Sequence, residues 1–198
     1  MAFSAAPGWW NTVGLDLAIA RGAFVYEESL KGNNILTKPL PVADAVMRHL
    51  KPPAAVLGWE SPEWINTYRV SLAGHFVECS GAPNLSFWQH VPADGPVVLP
   101  NRRSKTGPLA EKIYLVIQVG DGDAPKTLAG FMNKYSNWRS PARGQVPINW
   151  GVPPWLAGVA PAMLDYYART ATANDGFFAC PSGMGYCNPT LQIGRAHV

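Results

Sequence analysis

The sequence predicts an α/β protein, specifically an incomplete (β/α) TIM-barrel-like domain with parallel strands. Short apolar runs of strand length alternate with amphipathic segments of helical length, which is the pattern of crossover units in a parallel sheet. Most of these runs end in a polar, acidic or aromatic residue, as strands do around the site of such a barrel. Only six strands are predicted, whereas a closed barrel has eight. We therefore expect an incomplete barrel, with an open doubly wound sheet as the alternative.

The first part of the chain contains three strands, each preceded by a helical or loop segment. Pro52-Pro53 breaks one helix, and Ser61-Pro62 supplies a cap and a proline for the next. The predicted elements are a helix at residues 15–20, a strand at 23–28, a helix at 41–50, a strand at 54–60, a helix from 62 to 74 and a strand at 75–79.

The second part begins with residues 80–112, which we interpret as an extended loop containing Phe87-Trp88. Residues 113–119 are β-branched and apolar on both faces, so they predict a buried strand. A helix at 125–138, a strand at 145–150, a helix at 161–173 and a strand at 177–180 complete the pattern.

Composition describes a globular protein with a weakly charged surface. The chain has 198 residues, of which 47% are hydrophobic and 15% charged, with a net charge of +3. This charge is small and forms no basic run, so nucleic acid is not an expected partner. Three Cys cannot form a full disulfide framework, and the four scattered His do not predict a structural zinc site. No metal and no cofactor are expected.

Both ends of the sequence are informative. The first residues have no charged and apolar segments typical of a signal peptide, and no stretch approaches the roughly 20 apolar residues of a membrane helix. Residues 193–198 resemble a translated sequencing adapter. We therefore expect one domain at 1–192, a fragment of a longer protein, and a non-native tail at 193–198 that packs against nothing.

The stretch from Asn174 to Pro189 is the most distinctive in the chain. A turn signal and a short apolar run precede a loop in which Gly183 and Gly185 permit tight backbone turns. Such a loop can present Tyr186, together with Ser182, to a ligand pocket. A surface turn whose tyrosine packs on the domain is an equally good interpretation.

Residues 183–189, Gly-Met-Gly-Tyr-Cys-Asn-Pro, resemble the GxGYxYP motif of a family of putative glycoside hydrolases. Asn188 stands where the second tyrosine of that motif is expected. The resemblance implies a barrel-like domain, a carbohydrate substrate, a role in polysaccharide degradation and a secreted or periplasmic location.

Carboxylates at the predicted strand ends are the candidate catalytic groups, because glycoside hydrolysis needs two of them across the scissile bond. Asp121 and Asp123 follow the strand at 113–119. Residues two apart in an extended chain point to the same side, at about 6.5 Å, and such a pair favours one protonated and one ionised carboxyl. Asp123 is also a good helix cap, and the pair could instead hold a divalent cation. Glu60 is a further candidate, although a solvent-facing first helical turn explains it equally well.

Other strand ends supply groups that could bind a sugar. Asn149 can hydrogen-bond a hydroxyl group, and Trp59 and Trp150 can stack on a sugar ring, although a buried tryptophan at this position is equally ordinary. Of Glu27 and Glu28 at most one can face the site, because strand side chains alternate. Glu78 is a further acid near a strand end, although it precedes Cys79 inside the strand and an outward orientation is the alternative.

The sequence therefore predicts a glycosidase that uses strand-end carboxylates for acid/base catalysis. Two alternatives remain: a non-catalytic carbohydrate-binding protein and an inactive fragment. A second carboxyl roughly 5–10 Å from Asp121 across a cleft separates hydrolysis from binding.

Overall fold

A computed structural model describes residues 2–5, 14–26, 40–59, 62–78, 84–100, 107–108, 110–120, 128, 137–180 and 182–192, with only the backbone at 2–5 and at Trp59. The strands are β1 (Ala2–Ala5), β2 (Phe24–Tyr26), β3 (Ala55–Trp59), β4 (Phe76–Glu78), β5 (Gln118–Val119), β6 (Ile148–Val152) and β7 (Asp175–Ala179). The helices are α1 (Leu15–Ala20), α2 (Pro41–His49), α3 (Glu63–Leu72), α4 (Leu85–Trp88) and α5 (Pro161–Thr170), with 3-10 helices at Pro154–Gly158 and Pro189–Leu191.

The described strands form two parallel sheets, so the α/β class is confirmed. The first sheet has the order β2-β1-β3-β4 and the second the order β5-β6-β7. A barrel would place β2 between β1 and β3, whereas β1 pairs with both of them. The described strands close no barrel, and the barrel prediction is not confirmed.

The first sheet has the arrangement of the doubly wound alternative. Val56 and Val77 face a core shared with α2 and α3, while Leu57 and Phe76 face a core shared with α1. Adjacent strand residues thus bury opposite faces, as expected for a parallel sheet covered on both sides. The central strand β1 was not predicted, because four residues beside the chain start carry too little pattern to identify a strand.

Two strands of the second sheet, β5 and β6, have different bounds from those predicted. Only Gln118 and Val119 of the predicted strand at 113–119 pair with β6. Ile113 and Leu115 are exposed, so the buried-strand prediction is wrong for residues 113–117. In contrast, β6 continues past Trp150 to Val152, because Val152 pairs with β7 and its carbonyl accepts from the Cys180 N–H at 3.0 Å.

Four helix predictions are confirmed, at α1, α2, α3 and α5. The predicted loop at 80–112 contains the short helix α4, whose Ser86 N–H donates to the Asp16 carboxylate at 2.8 Å. Most of the predicted helix at 125–138 lies outside the described residues, as does the tail at 193–198. Among the helices that the structure describes, none combines the length and apolar character needed to cross a membrane.

One large core joins the two sheets. Its buried members include Leu57 and Phe76 from the first sheet and Trp150 and Val152 from the second. Helix α5 contributes Leu164 and Tyr167 to the same core, so the two sheets share one apolar interior.

An ion pair closes the amino-terminal side of the second sheet. Asp175, fully buried at the start of β7, pairs with Arg143 and accepts from the Trp150 indole at 2.8 Å and the Thr172 N–H at 2.7 Å. Burial alone would raise the pKa of Asp175, but these hydrogen bonds and the Arg143 charge hold it below its usual range. The Arg143 guanidinium also lies 4.1 Å from the centre of the Trp138 ring.

His75 ties the start of β4 to the end of α2. Its Nδ1 accepts from the Ala54 N–H at 3.2 Å, so the opposite nitrogen carries the proton and donates to the Met47 carbonyl at 2.8 Å. Burial, the largest cause, lowers the pKa of His75, and the bond to Met47 opposes that shift only in part.

We expect acid to destabilise the protein through His75. Because its folded pKa lies below the unfolded value of about 6.5, the unfolded chain binds the proton first, and stability is lost as pH falls below that value. Urea denaturation at pH 7.5 and 5.5 measures this loss. The change should be smaller in His75→Gln and fully retained in a control at the exposed His49, His49→Gln. Equal pH dependence in the wild type and His75→Gln would contradict the assignment.

Candidate functional site

A buried carboxylate lies where the carboxyl ends of the two sheets meet. Glu78 is the last residue of β4, and its side chain is only 4% exposed. Its Oε2 accepts a 2.8 Å hydrogen bond from the indole N–H of Trp155, in the 3-10 helix just after β6. This bond joins the end of a strand in one sheet to the segment that follows a strand end in the other.

Strand alternation explains why Glu78 points inward. Phe76, two residues earlier, faces the core shared by both sheets, and Val77 faces the opposite core. Residues two apart lie on the same face of a strand, so Glu78 follows Phe76 toward the second sheet. The outward orientation, the alternative that the sequence left open for Glu78, is therefore excluded. The alternation of Phe76, Val77 and Glu78 was the sequence signal that could have identified it.

The carboxyl edge of the second sheet is packed unusually closely. A Cβ on Gly151 would lie 2.7 Å from Cys180 Cβ and 3.1 Å from Gly120 Cα, and a Cβ on Gly120 would lie 3.0 Å from Cys180 Sγ. Only glycine fits at these two positions without a shift of the neighbouring strand. The chain therefore reaches Gly120, the residue before Asp121, at the carboxyl edge of this sheet.

The glycine-rich loop joins the second sheet to the first. Gly183 has a φ of 100°, and the Ser182 N–H donates to the Gly185 carbonyl at 3.3 Å. Beyond this turn, Tyr186 and Val77 exchange two backbone hydrogen bonds of 2.8 and 3.0 Å in an antiparallel bridge. The loop thus holds the free edge of β4, one residue before Glu78.

The two glycines of the loop have different structural roles. Gly183 supplies the positive φ that the turn needs. Gly185 lies against the ring of Phe76, where an added Cβ would overlap Cδ2 and lie 3.0 Å from Cε2. Tyr186 is half-buried and packs against the core formed with α2 and α3, which agrees with the interpretation of this tyrosine as a packing residue.

Three predicted catalytic residues, Asp121, Asp123 and Glu60, lie outside the described residues, as do Glu27 and Glu28. Glu60 follows the last residue of β3, and β3 pairs with β4 in a register that sets Leu57 beside Glu78. The predicted distances between these carboxylates, and their position on a common rim with Tyr186, remain predictions.

Asn149 and Trp150 occupy different places from those expected. The carboxyl end of β6 is at Val152, so both residues lie inside the strand. The Asn149 amide oxygen occupies the space left by the absent side chain of Gly176 on β7. Trp150 is 3% exposed and packs edge-on against Trp138 at 5.3 Å. Its ring belongs to the core, which corrects its assignment as a stacking surface for a sugar.

Two cysteines lie near the glycine-rich loop. Cys180 and Cys187 are buried and form no disulfide, and burial raises the pKa of the Cys187 thiol. Its Sγ donates to the Ser182 carbonyl at 3.4 Å. Within the described ranges, no three His, Cys, Asp or Glu side chains stand close enough together to share a metal ion.

The second half of the chain is similar to a known domain family. Residues 111–195 match the model of the GxGYxYP putative glycoside hydrolase C-terminal domain. The matched region contains β5, β6, β7, Trp155 and the glycine-rich loop, whereas Glu78 precedes it. The resemblance on the GxGYxYP motif is confirmed over this region.

The fold is similar to that of a crystal structure of a putative hydrolase from Bacteroides thetaiotaomicron VPI-5482. The TM-score is 0.70 at 19% sequence identity, and the alignment covers 98% of this chain and 37% of the other. This likeness shows a shared fold, and the chain spans little more than a third of that protein's length. No curated protein matches the sequence.

Proposed function

We propose that this chain is part of a carbohydrate-active hydrolase that cleaves a glycosidic bond in an oligo- or polysaccharide. Carboxylates at the carboxyl ends of the strands supply the acid/base chemistry. The observation that carries the proposal is the Glu78 carboxylate, held between the ends of β4 and β6 by its 2.8 Å bond to Trp155. The match of residues 111–195 to a putative glycoside hydrolase domain supports the same chemistry.

The proposed site takes one carboxylate from each sheet. Glu78 is the contribution of the first sheet, and Asp121, which follows Gly120 at the edge of the second, is the proposed partner. One of the two carboxyls donates a proton to the leaving oxygen, and the other acts as nucleophile or activates water. Asp123 and Glu60 are the other candidates for the second carboxyl, and Trp59, Ser182, Asn149 and Tyr186 remain candidates for contacts to the sugar.

Hydrolysis is favoured over carbohydrate binding alone. Binding by aromatic stacking needs exposed ring faces, and Trp150, one of the predicted stacking residues, is only 3% exposed. Burying Glu78 costs free energy unless it is hydrogen-bonded, and a sugar-binding surface has no need of such a carboxylate. The shared core of the two sheets supports one domain over residues 1–192. A polymeric substrate favours a secreted or periplasmic location.

The test compares Asp121→Asn, Glu78→Gln and Asp123→Asn, the last of which separates a helix cap from a catalytic carboxyl, in this chain or in a longer protein that carries the same residues. Each of the first two should reduce hydrolysis of a responsive glycan at least about a hundredfold while leaving glycan binding in place, because a positioned acid or base contributes 10²–10⁴ in rate. Asp123→Asn should cost little if Asp123 caps a helix, since Asn caps about as well as Asp.

Release of reducing ends measures turnover, and calorimetry measures binding. Full turnover in folded Asp121→Asn and Glu78→Gln would overturn the catalytic assignment. A wild-type protein that binds glycans and releases no reducing ends would establish the carbohydrate-binding alternative instead.

A further inference from the structure

Trp64, in the first turn of α3, is an exposed tryptophan. It is 59% exposed, whereas Trp138, Trp150 and Trp155 are buried in the shared core. An indole is large and mostly apolar, so its contact with water costs free energy that a covering surface would recover. The position of this ring in the fold indicates what covers it.

The path of the chain places Trp64 at the carboxyl edge of the first sheet. Helix α3 begins at Glu63, shortly after β3 ends at Trp59, and leads back to the start of β4 at Phe76. Because β3 and β4 are parallel, α3 runs antiparallel to both strands, and its first turn lies at the edge where they end. Glu78, the last residue of β4, lies at the same edge.

The face of α3 that carries Trp64 is also the face that meets the chain beyond the glycine-rich loop. Trp64 and Ser71 are seven positions apart (71 minus 64), so about two helical turns bring them onto one stripe of the helix. Ser71 is fully buried, and its hydroxyl accepts from the Asn188 N–H at 2.7 Å. Trp64 therefore lies on the same side of α3 as the segment that contains Asn188.

The turn of the glycine-rich loop lies at the carboxyl edge too. Tyr186 pairs with Val77 antiparallel to β4, so the residues before Tyr186 lie toward the carboxyl end of that strand. In this turn the Ser182 N–H donates to the Gly185 carbonyl, with Ser182 half-buried and Met184 45% exposed. The turn and Trp64 thus share one side of α3 and one edge of the sheet.

We propose that Trp64 stacks on a sugar ring of the glycan, in a binding subsite at this edge beside the turn of the glycine-rich loop. The subsite rests on the proposed glycosidase function, because a hydrolase must also hold the polymer that it cleaves. One face of a pyranose ring carries mainly C–H groups, and it leaves water when it lies flat on an indole. The Ser182 hydroxyl is the polar group that the loop offers to the sugar. Trp64 takes the role predicted for Trp150, whose ring lies in the core.

The exposed area fits a sugar better than a protein partner. One aromatic side chain buries about 150–250 Å², whereas a stable protein interface takes about 800 Å² from each partner. Thr67 and Ser71, on the same stripe as Trp64, are buried and polar. Leu72, the next exposed large apolar residue of α3, lies about two turns away at the other end of the helix. A single sugar ring covers a single indole.

Trp64→Ala tests the subsite by glycan affinity. A printed array of plant, fungal and bacterial polysaccharides identifies a glycan that the wild type binds, and calorimetry with an oligosaccharide of that glycan measures Kd. Trp64→Ala should weaken binding at least about tenfold, the lower end of what burial of an aromatic side chain contributes. Trp64→Tyr, which keeps a ring, should lose less. The matched control is Phe24→Ala, because Phe24 is 57% exposed at the start of β2, on the opposite edge of the sheet. It should bind as the wild type does.

Kinetics give a second readout of the same contact. In the active enzyme, Trp64→Ala should raise KM at least about tenfold and leave kcat within about twofold, because a contact made equally before and during the reaction affects binding alone. A lower kcat with unchanged KM would contradict the subsite.

The outcomes separate the subsite from the proposed function. Wild-type affinity in folded Trp64→Ala would overturn the subsite, while hydrolysis by the wild type would leave the glycosidase proposal intact. Glycan binding that releases no reducing ends and is lost in Trp64→Ala would support the subsite and overturn the glycosidase. A wild type that binds no glycan on the array would overturn both. Loss of a dimer in Trp64→Ala at unchanged glycan affinity would assign the ring to a second copy of the chain and overturn the subsite.

Discussion

Replacing Asp175 with alanine should reduce the free energy of unfolding by about 3–5 kcal/mol, the usual cost of removing one partner from a buried ion pair. Asp175 is 1% exposed and receives bonds from Arg143, Trp150 and Thr172. Its loss removes the anionic partner of the Arg143 guanidinium, which keeps only its bond to the Thr170 carbonyl, and leaves the Trp150 indole without this acceptor. Urea denaturation at neutral pH measures the loss.

The chain offers a matched control in a second arginine–aspartate pair. Arg169 and Asp94 lie 2.9 Å apart, but their side chains are 60% and 77% exposed. Water and salt screen such a pair, so Asp94→Ala should cost less than about 1 kcal/mol. Similar losses in Asp94→Ala and Asp175→Ala would contradict the structural role assigned to the buried pair.

Gly185→Ala should destabilise the protein by about 3 kcal/mol, the upper part of the range for overpacking a filled core. The new methyl group would overlap the ring of Phe76, which is buried between the two sheets. Relief requires either the ring or the loop to move, and movement of the loop breaks the bridge between Tyr186 and Val77. Thermal and urea denaturation both report the effect.

Gly158→Ala is the control for the loss of a glycine. An added Cβ at Gly158 meets no atom within 4 Å, so this variant should stay within about 0.5 kcal/mol of the wild type. In a Phe76→Leu background, Gly185→Ala should cost less than it does alone, because the two positions share one space. Additive losses in the double variant would show that Phe76 is not the obstacle.

The sequence predicted individual helices better than contacts between residues that lie far apart in the chain. Helices α2 and α5 each begin with proline and carry apolar residues at helical spacing, so neighbouring residues alone identified them. The strand at 113–119 had the strongest local pattern, yet residues 113–117 are exposed and lie outside β5. Pairing depends on which strand lies alongside, and the order β2-β1-β3-β4 depends on crossovers that no local pattern contains.

Site residues show the same limit. The position of Trp150 two residues before the end of β6 depends on its pairing with β7, so the sequence placed this residue at a rim and the structure places it in the core. The sequence left the direction of Glu78 open because its partner, Trp155, is 77 positions away. The glycine-rich loop was recognised from its spacing, but the contact of Gly185 with Phe76 required the fold.

The bridge between Tyr186 and Val77 can form only late in the synthesis of the chain. The two residues are 109 positions apart (186 minus 77), which corresponds to about 5–22 s of elongation at 5–20 residues per second. Until Tyr186 leaves the ribosome, the outer edge of β4 lacks this partner. An emerging chain therefore exposes an unpaired strand edge, the kind of surface that chaperones shield from association.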